Sequence, residues 1–127
     1  MTNTYEADQV SSLIIGACIE VHRELGPGLL ESVYEEALYF QMTSTGLKVE
    51  RQVPVVVHYK GQKLKAGLSI DLLVENIVIV ELKTVEKIHP IHEAQLLTYL
   101  KLRQLWLGLL VNFNVPLMKS GIRRVVN

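Results

Sequence analysis

The sequence predicts an α/β protein in which a mixed β-sheet is flanked by helices on both faces. The predicted elements run in the order helix, helix, several strands, helix, strand and strand. The run at residues 77–82 is apolar on both of its faces apart from Glu81, which is typical of a central strand covered by helices. A strand–helix–strand unit over residues 78–113 should place its two strands parallel in one sheet.

Size and charge limit what the chain can do. Its 127 residues predict a single domain, spanning residues 1–127, with a sizeable core. Lys plus Arg equals Asp plus Glu at 13 each, so no global field attracts nucleic acid, and any such contact must use a local patch. Hydrophobic residues make up 49% of the chain, which favours a homodimer or another partner that covers apolar surface.

Cysteine usage and hydrophobicity indicate the compartment. Cys18 is the one cysteine of the sequence, which excludes an internal disulfide and a four-cysteine zinc site, and it is expected to fill core space. No apolar run approaches the ~18 residues that span a bilayer. The first residues lack the basic and then apolar pattern of a signal peptide. The sequence therefore predicts a cytoplasmic protein without membrane contact.

Two helices open the chain. Residues 4–25 carry apolar side chains at steps of three and four, the period of one helix face. Gly26-Pro27-Gly28 should end this helix, and a second helix is predicted over residues 30–44, closed by Gly46. The apolar positions of the first helix are Val10, Leu13, Ile14, Ala17, Val21 and Leu25.

Strands and turns fill the middle of the chain. A strand is predicted over residues 49–58, starting or bending at Pro54 because proline removes a ladder donor. Lys60-Gly61 marks a turn into a short strand over residues 63–66, and the strand that carries Asp71 follows.

One helix and two strands complete the predicted fold. Pro90 suits the first turn of a helix that reaches about residue 103. A buried strand over residues 106–113 and a final edge strand over residues 121–126 follow.

Three charges interrupt the apolar hairpin in the middle of the chain, namely Asp71, Glu81 and Lys83. Alternation along a strand puts Glu81 and Lys83 on the same face. A two-residue loop at Glu75-Asn76 would set Asp71 one position away from Glu81, on the wrong face. A three-residue loop over residues 75–77 would pair the two carboxylates, and we predict this loop or a bulge near Asp71.

Paired carboxylates at this place predict a metal site. Two adjacent carboxylates repel each other unless a cation lies between them. Asp71, Glu81 and a backbone carbonyl such as that of Leu82 offer the hard oxygen ligands that suit Mg²⁺ or Mn²⁺. Such an ion lowers the pKa of a bound water, and Lys83 would orient or deprotonate that water or stabilise the developing charge. An exposed strand-end ion pair of Glu81 with Lys83 is the competing interpretation.

Other polar residues also have structural interpretations. A carboxylate at Glu31 suits the first turn of its helix, where the helix dipole favours it, and Gln95 can be an ordinary polar residue of its helix. His22, His89 and His92 lack zinc-ligand spacing and are expected at the surface. The candidate phosphate contacts, with solvated charge as the alternative, are Lys60, Lys63, Lys65, Lys119, Arg123 and Arg124.

Several segments form a recognisable set. Gly28-Leu29-Leu30-Glu31-Ser32-Val33-Tyr34 is followed by Asp71, by Glu81-Leu82-Lys83 and by Gln95. With these motifs the chain resembles the PD-(D/E)xK nuclease-like superfamily and, within it, the small bacterial and archaeal family named for its GxxExxY motif. The likeness covers nearly the whole chain from about Val10.

The resemblance implies a restriction-endonuclease-like core with a Mg²⁺ site, which Mn²⁺ would also suit. It implies that Asp71 and Glu81 are metal ligands and that Lys83 is the catalytic lysine. Glu31 would be an extra acidic ligand, and Gln95 would be the polar residue on the following helix that orients the site.

The resulting hypothesis is a Mg²⁺-dependent nuclease that hydrolyses phosphodiester bonds of DNA in preference to RNA. Ile70 stands where the superfamily's namesake has proline, a departure common among divergent members. The alternative is a non-catalytic module that keeps the nuclease fold and binds nucleic acid or protein. A third possibility is hydrolysis of a small nucleotide.

Overall fold

The protein's structure is a computed structural model that describes residues 3–127. The helices are α1 (Thr4–Leu25), α2 (Glu31–Ser44) and α3 (Pro90–Arg103), with a 3-10 helix at Met118–Gly121. The strands are β1 (Val49–Pro54), β2 (Val57–Tyr59), β3 (Gln62–Leu64), β4 (Ser69–Val74), β5 (Val78–Lys83), β6 (Leu107–Asn112) and β7 (Ile122–Val126).

Five of the strands form one mixed sheet in the order β1-β4-β5-β6-β7. The pair β5–β6 is parallel and the other neighbours are antiparallel, so the predicted parallel unit and the edge position of the last strand are confirmed. The predicted strand over residues 49–58 is divided after Pro54, because β2 pairs with β3 in a separate hairpin.

Helices cover both faces of the sheet, as predicted. Alternate residues of β4, β5 and β6 pack against α1 and α2 in one apolar cluster that includes Leu72, Val80 and Leu109. The residues between them pack against α3 in a second cluster that includes Ile79 and Leu110. This alternation explains why β5 and β6 show no polar face in the sequence.

Three side chains of α1 lie where the sequence does not place them. Leu13 and Leu25, predicted on the apolar face, are 58% and 40% exposed. His22, expected at the surface, is buried, because its Nε2 lies 2.8 Å from the carbonyl oxygen of Val115 and its ring packs at a tilt against Phe113. A histidine on an otherwise apolar helix face can be buried when a backbone carbonyl satisfies its ring nitrogen.

Tyr34 fixes the connection between α1 and α2. Its hydroxyl donates to the carbonyl of Gly26 at 2.5 Å and accepts from the N–H of Leu29 at 3.2 Å. Its ring is fully buried and stacks on Phe113 with 4.4 Å between the ring centroids. The tyrosine of the Gly28–Tyr34 motif is therefore a core residue that sets where α2 begins.

The β4–β5 connection has the predicted three-residue loop. The strand pairing matches Val74 with Val78 and continues to Leu72 with Val80. Glu75 and Asn76 both have positive φ angles, which asparagine tolerates better than most residues. The next pair in this register is Asp71 with Glu81.

Two further predictions can be compared with the structure. Cys18 is buried in the core, as expected, and burial raises the pKa of its thiol to about 12. Within residues 3–127, no helix is both long and apolar enough to cross a membrane.

Candidate functional site

Asp71 and Glu81 meet where the ladder between β4 and β5 stops. A carboxylate oxygen of Glu81 accepts from the backbone N–H of Asp71 at 3.0 Å, and Asp71 accepts in turn from the N–H of Leu82 at 2.8 Å. The carboxylates thus take the acceptor places that carbonyl oxygens hold in a regular ladder. The predicted pairing is confirmed, and it holds both side chains at one end of the sheet.

Glu81 is an ionisable group in an apolar setting. Its side chain is 8% exposed, and its strand is buried on both faces. Burial raises the pKa of its carboxyl group, the neighbouring charge of Asp71 adds to this shift, and together they bring the pKa to about 9. The site therefore disfavours a second negative charge, which is the electrostatic setting that a bound cation relieves.

Lys83, at the end of β5, lies within electrostatic reach of both flanking helices. On the α3 side, the pKa of His92 is lowered by partial burial and then by the charges of Lys83 and His89. On the α2 side, burial raises the pKa of Glu31, and the positive charge of Lys83 opposes this shift. The charge of Lys83 therefore acts on residues in the first turns of both α2 and α3.

Gln95 lies beside the site without touching the carboxylates. It is exposed, and its Nε2 donates to the hydroxyl of Tyr99 at 3.1 Å. Tyr99 is buried, and its pKa is raised by burial and then by the charge of Glu81. Gln95 therefore bonds to a residue that experiences the charge of the acidic pair, and does not bond to the pair itself.

Glu31 is the most exposed of the predicted ligands. It opens α2, and the charge of Asp71 adds to the burial that raises its pKa. A recess of about 180 Å³ lies between α2 and the sheet. Its lining residues are Glu31, Ser32, Glu35, Gln52, Asp71 and Leu82.

A hydrogen-bonded network behind Asp71 has no counterpart in the sequence interpretation. Glu35 is buried, and its carboxylate accepts from Arg51 at 3.0 Å and from Nε2 of Gln52 at 2.5 Å. The same Gln52 nitrogen lies 3.3 Å from Asp71 Oδ1, and the Gln52 carbonyl accepts from Ser69 Oγ at 2.6 Å. Gln52 thereby connects α2 to the metal-ligand candidate on β4.

The backbone of Gln52 is unusual for a strand. Its φ angle is 49°, in the left-handed region that costs a residue with a Cβ about 1 kcal/mol or more. The β1–β4 pairing runs through Arg51 with Leu72 and resumes at Val53 with Ile70, passing over Gln52 and Asp71. A distortion near Asp71 is therefore present as well as the three-residue loop, and it turns the Gln52 side chain toward the recess.

Asn112 anchors the loop that follows Lys83. Its side chain accepts from the N–H of Val85 at 3.1 Å and donates to the carbonyl of Val85 at 2.8 Å. Asn112 is buried at the end of β6, directly opposite Lys83 in the parallel pairing. The signal in the sequence is an asparagine that closes an otherwise apolar strand.

The donor set at this end of the sheet suits a small hard cation. Asp71 and Glu81 each use one oxygen on a backbone N–H, and carboxylate oxygens retain further lone pairs for a cation. No group of three His, Cys, Asp or Glu side chains among residues 3–127 is arranged to hold a metal ion. The two carboxylates would therefore need backbone oxygen and water as further ligands, which Mg²⁺ readily keeps.

A five-stranded mixed sheet between helices, with an acidic pair and a Glu-x-Lys at adjoining strand ends, defines a nuclease-like α/β fold. The family model of the PD-(D/E)XK nuclease superfamily matches residues 8–125, and the chain belongs to this superfamily. No curated protein and no solved structure was found to match the chain.

Proposed function

We propose that the protein is a Mg²⁺-dependent nuclease that hydrolyses phosphodiester bonds, with DNA preferred to RNA. The observation that carries this proposal is the buried Glu81, held beside Asp71 with Lys83 two residues further along the strand. A buried acid next to another acid is costly unless a cation is bound there. Membership of the nuclease superfamily supports the same reaction class.

The ligands in this proposal are the carboxylates of Asp71 and Glu81 and the backbone carbonyl of Leu82, with Glu31 joining directly or through water. Mn²⁺ would suit the same oxygen set. A bound divalent cation supplies a water of lowered pKa and neutralises charge on a phosphoryl oxygen.

The chain's own residues then position the reacting groups and stabilise the charge that develops on them. The attacking water loses a proton to solvent as its oxygen bonds to phosphorus, the phosphorus–oxygen ester bond breaks, and the leaving oxygen takes up a proton from solvent. In this proposal the Lys83 ammonium donates to a phosphoryl oxygen, where negative charge develops. Gln95 and Tyr99 hold the α3 side of the site, and Gln52 holds Asp71 against Glu35.

Cleavage of labelled DNA tests the proposal. Single-stranded, duplex and branched DNA and a matched RNA would be incubated with Mg²⁺ or Mn²⁺ and wild type, Asp71→Asn, Lys83→Met or the control Lys101→Gln. We expect metal-dependent cutting by wild type and control, and a loss of at least ~100-fold in both site variants. Cutting that persists in both site variants would refute the assignment of these residues.

A non-catalytic binding module remains the second candidate because apolar side chains are exposed away from the site. Phe40 is 71% exposed on α2 beside the exposed Leu25 of α1, which also motivates a homodimer. Sedimentation of wild type and Phe40→Glu tests the dimer, which the charge should dissociate. Wild type that is inert on every substrate and binds no Mn²⁺ would favour the module.

We further propose membership of the GxxExxY family and a cytoplasmic location. Two residues of the motif support membership of this family. Tyr34 fixes the loop that leads into α2, and Glu31 opens α2 at the recess. The single Cys18, buried and unpaired with another cysteine, suits a reducing compartment.

A further inference from the structure

The β2–β3 hairpin projects from the sheet as a separate two-stranded ribbon. Its register pairs His58 with Lys63 and Tyr59 with Gln62. Directly opposite residues share a face, so His58 and Lys63 lie on one face. Tyr59 lies on the other face, together with Leu64. Most of the hairpin is exposed, including all of these side chains.

This ribbon carries positive charge without compensating acid. Residues 52–70 contain Lys60, Lys63 and Lys65 and neither aspartate nor glutamate. The remaining sequence carries 10 Lys or Arg against 13 Asp or Glu, so the hairpin is the cationic part of a neutral chain. Among residues 3–127, the four salt bridges use arginines and none uses a hairpin lysine.

The hairpin leaves the sheet at the same end as the acidic pair. It follows the last residue of β1 and precedes the first residue of β4, two positions before Asp71. The N–H of Val55 donates to the carbonyl of Leu68 at 3.0 Å and closes its base. Val57 packs on the α3-side cluster, as does Val85 of the loop after Lys83. Three residues per strand give an arm of about 10 Å beside the site.

The acidic site needs such an arm to hold a polyanion. The carboxylates of Glu31, Glu35 and Asp71 line one recess and repel phosphate groups before a cation binds. Lysines contact phosphates as flexible point charges, and an exposed tyrosine offers a face on which a base can stack.

We propose that the β2–β3 hairpin is a substrate-binding arm that contacts the sugar–phosphate backbone of a polynucleotide through Lys60, Lys63 and Lys65. This inference rests on the proposed nuclease function and narrows its substrate to a polymer that reaches beyond the scissile phosphate.

Fluorescence anisotropy in EDTA tests the arm without hydrolysis. Labelled DNA and RNA, single-stranded and duplex, are titrated with wild type and with Lys63→Gln/Lys65→Gln over a range of salt concentrations. The matched control is Lys48→Gln/Lys101→Gln, because these exposed lysines lie at the opposite end of the sheet. We expect the hairpin variant to bind on the order of tenfold more weakly, with a salt slope smaller by about two.

The control should bind as wild type does, and thermal denaturation should show both variants folded. Equal affinity and equal salt slope in wild type and hairpin variant would overturn the proposal, as would a wild type that binds none of the four polynucleotides. If binding depends on the hairpin but wild type with Mg²⁺ or Mn²⁺ cuts nothing, the hairpin is a polynucleotide-binding arm and the proposed nuclease function is refuted. If wild type cuts DNA and the hairpin variant does so with unchanged KM, the arm fails alone.

Discussion

Glu81 is a buried carboxyl group with a second carboxyl group beside it. It faces Asp71 across the strand pair, and burial together with the charge of Asp71 raises its pKa to about 9. Pattern alone predicts this residue, because an acid inside an apolar strand stands out in the sequence. Its protonation behaviour depends on the folded surroundings, which the sequence does not display.

The raised pKa predicts how metal-free stability depends on pH. The folded protein holds a proton on Glu81 above pH 4.5, where the unfolded chain has released it. The contribution of this group to stability is therefore complete below about pH 4.5 and is lost as the pH rises toward about 9. In EDTA, Glu81→Gln should remove this loss, so its unfolding free energy should fall less than that of wild type between pH 5 and pH 8.

Urea denaturation of wild type and Glu81→Gln at pH 5 and pH 8 measures the effect. Glu93→Gln is the control, because Glu93 lies on α3 in an ion pair with Arg123 away from the acidic pair. An equal dependence on pH in wild type and Glu81→Gln would show that Glu81 titrates normally.

Substitution of Gln52 should change both the stability and the cleavage rate. Gln52→Ala removes the hydrogen bond to the buried Glu35 and should lower stability by about 1 to 2 kcal/mol and the cleavage rate about tenfold. Gln52→Gly loses the same bond but accommodates the positive φ, so it should recover part of the stability and none of the rate. Chemical denaturation and single-turnover cleavage separate these contributions, and a full rate in both variants would exclude a positioning role.

The network around Gln52 was not predictable from local sequence. Asp71, Glu81 and Lys83 interrupt apolar strands and are visible for that reason. Glu35 belongs to a helix and Gln52 to a short strand, and nothing in the neighbouring sequence distinguishes them from ordinary polar residues. Only the meeting of α2 with the β1–β4 pair gives them a common position.

At the scale of elements, the lengths and residue types of the connections determine the strand register and the helix ends. The three-residue loop was predictable because the strand alternation of Glu81 and the position of Asp71 admit few registers. The bounds of α1 and α3 follow from Gly26 and Pro90, which end and begin helices. The burial of His22 was not predictable, because its partner Val115 is distant in sequence.

The hydroxyl of Tyr34 should contribute to stability by holding the α1–α2 loop. Tyr34→Phe removes the two hydrogen bonds to Gly26 and Leu29 while keeping the ring stacked on Phe113. We expect a loss of roughly 1 kcal/mol in unfolding free energy, because a partly buried carbonyl and N–H lose their hydrogen-bond partner. Thermal or urea denaturation measures it.

Tyr5→Phe is the matched control, because Tyr5 is exposed and its hydroxyl bonds only to the exposed Gln9 among residues 3–127. A Tyr34→Phe variant as stable as Tyr5→Phe would mean that the loop does not depend on this hydroxyl.

At the scale of the whole molecule, charge is neutral in sum and uneven in placement. The acidic recess and the cationic β2–β3 hairpin lie at the same end of the sheet. Composition alone reports only the balance of 13 basic and 13 acidic residues, so it excludes a global field and leaves local patches undetected. The sheet order and the helix layers were predictable from element order and strand hydrophobicity, and they are what bring these charges together.

Calorimetric titration with Mn²⁺ at pH 7 tests whether Asp71 and Glu81 form a divalent cation site. We predict one Mn²⁺ per wild-type chain, with release of about one proton from Glu81, measured from the dependence of the heat on buffer ionisation enthalpy. Asp71→Asn should abolish binding and Glu31→Gln should weaken it. Wild type that binds no Mn²⁺, or that binds it as tightly as Asp71→Asn does, would show that Asp71 and Glu81 do not form this cation site.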